Sequence, residues 1–309
     1  MHSKVAIIGA NGFVGRNLVE LLTQRGRPAL GVVRSHEGAR TVQARGGLPL
    51  RVPDLESTSI DALTPALEGC AGLVYTASVS ATAGASDRTD PAGLRNVLAA
   101  CRAEGVPRFV FLSGLGIANY GINPHCTNPY FLAKMAGEVA LFRSDLVVTV
   151  LRPSYIFGPG EEFLSPLIRR MAREPFVEIP GHGDYRLQPV SVGDAARAIL
   201  SVIDGPSNAS PRVIDLVGPE ILSYRALISR IASLMGRRVE IRERALEEAQ
   251  AQARETGYFG LRPHDLACLL CDEVSDPGPV ASLVGGALET LDQMVERTIA
   301  HVLGSEAAQ

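Results

Sequence analysis

At 309 residues the chain is long enough for a large core and for more than one domain. Its formal charge of −3 and pI near 6.1 exclude broad electrostatic attraction to nucleic acid or anionic membrane, which leaves a small molecule as the default ligand. No apolar run approaches the ~18–20 residues of a membrane span. Met1 to Lys4 leaves no room for a signal peptide before the first apolar run, so the expectation is a cytoplasmic protein. Five cysteines, Cys70, Cys101, Cys126, Cys268 and Cys271, are an odd count for a disulfide framework. Cys268 and Cys271 form a C-x-x-C inside an apolar helical pattern with no second pair, which reads as small buried thiols, and no metal site is expected.

The first apolar run, Lys4 to Ile8, is short and β-branched, whereas Phe13 to Arg25 places Val14, Leu18, Leu21 and Leu22 at helical spacing. Strand passes to helix at Gly9, Gly12 and Gly15. The first glycine permits a tight turn, the second a close approach of backbone to a pyrophosphate, and the third close helix–strand packing. Free N–H groups at the helix start attract negative charge, so the stretch reads as a dinucleotide phosphate site with G-x-x-G-x-x-G spacing.

Ala29 to Arg34 forms a second strand. In a dinucleotide-binding sheet an acid at this tip binds the ribose 2′-hydroxyl of NAD, whereas an arginine accommodates the 2′-phosphate of NADP. The tip reads Val33-Arg34-Ser35 with no acid, and Arg16 follows the third glycine, so NADP(H) is the expected cofactor with NAD(H) as the alternative. Leu48 to Val52 and Ala71 to Ala77 are further strands, with a helix over Ser57 to Leu67 between them. Ser78 to Thr89 is a loop without apolar periodicity. Asp90-Pro91 starts a helix that stops at Gly105, and Arg108 to Ser113 is the next strand. Five alternations of strand and helix specify an α/β, Rossmann-type doubly wound parallel sheet.

Asn128-Pro129 repeats the cap-plus-proline signal ahead of Tyr130-Phe-Leu-Ala-Lys134. Tyrosine and lysine four apart share a helix face, where an ammonium favours the phenolate and makes Tyr130 a candidate general acid/base. Val147 to Leu151 is a sixth strand leading into Arg152-Pro-Ser-Tyr-Ile-Phe-Gly-Pro-Gly160. A basic helix around Leu167 to Arg173, a loop from Ile179 to Gly183, and a helix starting at Ser191 with Asp194 in the capping-box position follow. Arg212 to Val217 and Val239 to Arg242 read as strands, Ser223 caps a helix to Met235, and the remainder reads as helical. The boundaries expected are 1–160 plus 186–218 for the nucleotide-binding domain and 161–185 plus 219–309 for a smaller, mostly helical substrate domain.

With these motifs in order, the chain resembles an extended or atypical short-chain dehydrogenase/reductase of the NAD(P)-dependent epimerase/dehydratase type. The matching residues are Gly9-Ala-Asn-Gly12-Phe-Val-Gly15, Asp54-Leu55, Ser113, Tyr130-x-x-x-Lys134, Leu151-Arg-Pro153, Gly158-Pro-Gly160 and Gln188 with Asp194. Leu261 to Val274 is similar to a C-terminal pattern in the branch that includes the nucleotide-binding accessory subunit of respiratory complex I. The resemblance implies that Gly9, Asn11, Gly12, Phe13 and Val14, with Gly15 closing the turn, line the pyrophosphate. It likewise implies Arg34 at the 2′-phosphate, Asp54 and Leu55 at the adenine, and Thr76 and Ala77 at the ribose. Tyr130 becomes the proton donor or acceptor, Lys134 the residue holding the nicotinamide ribose, and Pro153, Tyr155 and Ile156 the border of the nicotinamide.

One departure concerns Ser113. Epimerase-type relatives carry a serine or threonine one position later, to hydrogen-bond the reacting oxygen, and here that position is Gly114, so either Ser113 serves as that catalytic hydroxyl, a different group does, or the oxygen is held less well. The leading expectation is an NADP-dependent oxidoreductase moving a hydride between nicotinamide and a ketone or secondary alcohol. An NAD-retaining nucleotide-sugar epimerase or dehydratase and a non-catalytic cofactor-holding module stay open, as does a homodimer.

Overall fold

A computed structural model describes residues 3–77, 91–123, 129–206, 212–258, 261 and 263–307. The expected loop at 78–89 and the caps at Asp90 and Asn128 lie outside the described residues. Strand β1 (Lys4–Ile8) alternates as a strand buried on both faces must: Val5 and Ile7 enter one core, Ala6 and Ile8 the other. Helix α1 (Phe13–Gln24) follows the glycine turn, then β2 (Ala29–Val33), α2 (His36–Ala44), β3 (Leu48–Arg51), α3 (Ile60–Leu67) and β4 (Cys70–Tyr75). The series continues through α4 (Pro91–Glu104), β5 (Phe109–Leu112), a 3₁₀ turn (Leu115–Asn119), α5 (Pro129–Phe142) and β6 (Val148–Pro153).

A second series follows: β7 (Ile156–Phe157), α6 (Leu164–Arg173), β8 (Phe176–Pro180), β9 (Arg186–Leu187), β10 (Val190–Ser191), α7 (Val192–Asp204) and β11 (Arg212–Leu216). Then come β12 (Leu222–Ser223), α8 (Tyr224–Leu234), β13 (Glu240–Arg244) and four helices, α9 (Leu246–Glu255), α10 (Pro263–Leu269), α11 (Gly278–Val284) and α12 (Leu291–Ala307).

Seven parallel strands form the main sheet in the order β11-β6-β5-β4-β1-β2-β3. Its two faces carry separate cores, one packing Leu18, Leu22, Val42 and Ile199 from α1, α2 and α7, the other Leu63, Leu94, Val97 and Leu141 from α3, α4 and α5. The chain runs outward in opposite directions from β1 and β4. The crevice between their carboxyl ends is therefore the topological switch point, where ligands of open α/β sheets gather.

A third core joins Phe157, Leu167, Val177, Leu187, Leu227, Leu269 and Met294. It includes β8, which pairs in parallel with β13 from Phe176↔Glu240 to Pro180↔Arg244. The sequence reads as a loop from Ile179 to Gly183 and assigns no element to Phe176, Val177 and Glu178. Val177 and Ile179 are fully buried, but one short alternation running into Pro180-Gly181 is outweighed locally by the turn signal. Ser191 caps α7 as expected, its hydroxyl accepting from Asp194 N at 2.9 Å. The capping box is not closed: the fully buried Asp194 carboxylate accepts from Glu289 N at 2.8 Å and pairs with Arg197. No helix among the described residues is long and apolar enough to cross a membrane.

Candidate active site

The glycine turn sits at the carboxyl end of β1. Gly9 has φ +82°, a conformation that favours glycine, and a Cβ there would lie 2.8 Å from Ala77 N at the end of β4. A Cβ on Gly15 would meet Gly9 O at 2.3 Å, so the first turn of α1 can approach the strand only without a side chain. Gly12 is the N-cap of α1 and supplies no side-chain cap, whereas α2, α7 and α8 are each capped by a serine hydroxyl. Asn11 and Gly12 are exposed at this mouth, Phe13 is half-buried and Val14 is buried. An uncapped twelve-residue helix behind a cradle with no side-chain bulk fits a pyrophosphate, the ligand expected from the spacing.

Helix α5 carries the second group. Lys134 is 2% exposed, and its ammonium donates to Leu112 O at 2.8 Å while lying 5.6 Å from the Tyr130 ring centroid and 5.1 Å from that of Phe111. Burial pulls its pKa down to about 8, against a partial upward pull from the Glu138 carboxylate. Tyr130, Lys134 and Glu138 recur every four residues and so share one helix face. Glu138 is 3% exposed and accepts Ser113 Oγ at 2.6 Å, Arg152 Nε at 3.0 Å and Arg152 Nη2 at 2.6 Å. Arg152, raised in pKa mainly by that carboxylate, lies opposite Asp215 in the β6–β11 register.

In this network Ser113 faces Glu138. The residue is 1% exposed and its single hydroxyl proton goes to Glu138, so in this arrangement it cannot also donate to a substrate oxygen. A Cβ on Gly114 would lie 3.5 Å from Tyr130 Cε1 and 3.3 Å from Phe131 Cε1. The hydroxyl missing from position 114 is therefore missing from beside the Tyr130 ring.

The remaining expected residues are placed as follows. Arg34 is exposed at the tip of β2, next to Ser35, whose hydroxyl accepts Gly38 N at 3.0 Å. Arg16 donates one N–H to Gly160 O at 2.6 Å, with its guanidinium 5.4 Å from the Phe13 ring centroid. Exposed Asp54 accepts Glu56 N at 2.9 Å and Ser57 Oγ at 2.7 Å, bonds that lower its pKa and order the turn after β3. Leu55 is half-buried, and its carbonyl accepts Asn96 Nδ2 at 2.9 Å. Thr76 donates to Ile8 O at 2.9 Å, tying the ends of β1 and β4 together beside Ala77. Pro153 is buried at the end of β6, with half-buried Tyr155 and Ile156 immediately beyond.

Two groups escape a reading by motif. Glu138 is signalled only by a carboxylate in the apolar run Met135 to Phe142, four residues after Lys134. Glu273 lies in the C-terminal segment, where it is 5% exposed, receives the N–H of Gly116, and is pushed by burial to a pKa of about 8. Cys70, Cys101 and Cys271 are buried and Cys268 is half-buried, none of them in a disulfide, and burial raises the Cys101 thiol to about 12. Among the described residues no His, Cys, Asp and Glu grouping could hold a metal.

A family model described as NAD(P)H-binding matches residues 9–163. The chain is 26% identical over 255 residues to the 2-alkyl-3-oxoalkanoate reductase of Stenotrophomonas maltophilia (strain K279a), covering 75% of this chain and 76% of that protein. It is 24% identical over 226 residues to the mitochondrial NADH dehydrogenase (ubiquinone) 1 alpha subcomplex subunit 9 of Arabidopsis thaliana, covering 72% of this chain and 55% of that one. The UDP-glucuronic acid 4-epimerase from Bacillus cereus, solved in complex with NAD, shares the fold with a TM-score of 0.75 at 16% identity, over 98% of this chain and 99% of that one.

Proposed function

Because this chain belongs to the NAD(P)H-binding family, on the extended short-chain dehydrogenase/reductase branch, we propose that it is an NADP-dependent oxidoreductase acting on a ketone or secondary alcohol. The observation that carries this reading is the stacking of Tyr130, Lys134 and Glu138 on one face of α5, beside the tip of β5. A site that only held a dinucleotide would need no phenol faced by a buried ammonium.

Gly9, Asn11, Gly12, Phe13 and Val14 would receive the pyrophosphate, with Gly15 keeping α1 close enough for its N–H groups to reach it. Asp54 and Leu55 would border the adenine, Thr76 and Ala77 the ribose side, and Pro153, Tyr155 and Ile156 the nicotinamide. When bound, the dinucleotide supplies or accepts the hydride. Tyr130 gives the proton to the nascent alkoxide in reduction and removes it in oxidation. Lys134 keeps a positive charge against the phenol, and its remaining N–H donors would hold the nicotinamide ribose. Glu138 supports that charge in a buried site, and Ser113, through Glu138, positions the carboxylate rather than the substrate.

Two variants test the cofactor side. Arg34→Ala should weaken NADPH by about 1–2 kcal/mol, roughly five- to thirtyfold, as loss of one charge-assisted phosphate contact does, and leave NADH nearly unchanged. Equal losses for both cofactors in a calorimetric titration would remove Arg34 from the 2′-phosphate. Gly15→Ala should weaken both cofactors alike and cost of order 1–3 kcal/mol of stability, since the Gly9 carbonyl must move to admit the methyl. Unchanged binding and melting would show that the turn is not the cradle.

A further inference from the structure

The turn that follows β3 is held from two sides. Within it, the Asp54 carboxylate accepts Glu56 N at 2.9 Å and Ser57 Oγ at 2.7 Å, while the Thr58 hydroxyl donates back to Asp54 O. From outside it meets one side chain of α4. Asn96 Nδ2 lies 2.9 Å from Leu55 O, 2.9 Å from Glu56 O and 3.3 Å from Thr58 O, so a single amide gathers three carbonyls of the turn.

The amide nitrogen carries two protons, which serve the two nearer carbonyls and leave the third to share one of them. Residues of similar size cannot replace it: aspartate brings acceptors only, and leucine brings neither donor nor acceptor. Asn96 reaches the turn from a fixed base. Leu94, Val97 and Leu98, on the same helix, are buried in the core that α4 shares with Leu63 and Leu67 of α3, and half-buried Leu55 packs against that core.

The turn itself is at the surface, with Asp54, Glu56 and Ser57 exposed, so water could satisfy the same carbonyls. What water cannot supply is a fixed position. We infer that Asn96 is a positioning residue for the adenine of the cofactor: it pins the 54–58 turn to α4, so that Asp54 and Leu55 are set at the carboxyl end of β3 before the ligand arrives. Binding then avoids the cost of ordering the turn. This role rests on the reading that Asp54 and Leu55 border the adenine, and it does not depend on hydride transfer.

The test uses the full chain and needs no turnover. Asn96→Leu and Asn96→Asp keep the size of the side chain and remove its donors. In calorimetric titrations NADPH and adenosine 2′,5′-bisphosphate, which carries the adenosine half alone, should each bind Asn96→Leu about three- to tenfold more weakly than wild type. Asn96→Asp should bind both more weakly still, because its carboxylate repels the carbonyls. Amide hydrogen exchange read by mass spectrometry locates the effect. NADPH should slow exchange across 54–58 in the wild type, and both variants should speed it there before cofactor is added while leaving β1 and α1 unchanged. A lower melting temperature with both affinities intact would make Asn96 a structural prop, and wild-type affinity in Asn96→Asp would make it a space filler; either result overturns the role, even where NADPH protects the turn. Exchange across 54–58 that NADPH does not alter would place the turn away from the cofactor, and would remove the adenine reading together with the role of Asn96.

Discussion

Tyr130→Phe should lower turnover by about 10²–10⁴-fold while leaving NADPH affinity within about twofold. The substitution deletes one oxygen from a side chain whose ring stays packed, 5.5 Å from the Phe131 ring centroid and 5.6 Å from the Lys134 ammonium. Nothing in the glycine cradle changes. The expected pattern is a fall in kcat and kcat/KM together, the signature of a group that acts in the transition state. Unaltered turnover would remove the phenol from the chemistry, and a matching loss of NADPH affinity would make it a binding residue.

Glu138→Ala should destabilise the protein by about 3–5 kcal/mol, near the lower end because Arg152 keeps 22% exposure. One carboxylate satisfies Ser113 and both faces of the Arg152 fork, and it partly offsets the burial of Lys134. Its removal takes the bidentate partner from the Arg152 guanidinium and lowers the Lys134 pKa further, which weakens the hold on the ammonium opposite Tyr130. Denaturant melts measure the first effect. The second is read by the Tyr130 phenol, obtained as the difference in ultraviolet titration between wild type and Tyr130→Phe, whose midpoint should rise in the Glu138→Gln background. A midpoint that does not move would confine Glu138 to holding Arg152 and Ser113.

Much of this arrangement is legible in the sequence because local chemistry dictates it. The strand before Gly9 and the helix after Gly12 follow from periodicity, and the serine caps at Ser191 and Ser223 act where the spacing puts them. The parallel, doubly wound sheet follows from the alternation of strands and helices, whereas the order of its strands comes from the structure, and the resemblance singles out Tyr130 and Lys134. What stays hidden depends on partners distant in the chain. Asp194 has a capping-box spacing, but Glu289 N, 95 residues away, takes its carboxylate. Arg16 sits by the glycines as if for a phosphate, yet donates to Gly160 O across 144 residues. Ser113 looks like the substrate hydroxyl until Glu138, on the next helix, takes its proton. Glu273 falls in the Leu261 to Val274 stretch, whose resemblance assigns it no role, and the fold brings it to Gly116.

Hydride transfer between nicotinamide and a carbonyl carbon would make this protein an oxidoreductase. It is tested most directly with NADPH deuterated at C4, incubated with the purified protein and a panel of ketones and quinones, followed by mass spectrometry of the alcohols and quinols formed. The expected result is NADPH-specific oxidation with deuterium at the new carbinol carbon of a ketone substrate, absent in Tyr130→Phe. Tight NADPH binding with no label leaving the cofactor across the panel would contradict it and favour a protein that holds the dinucleotide for structure or sensing.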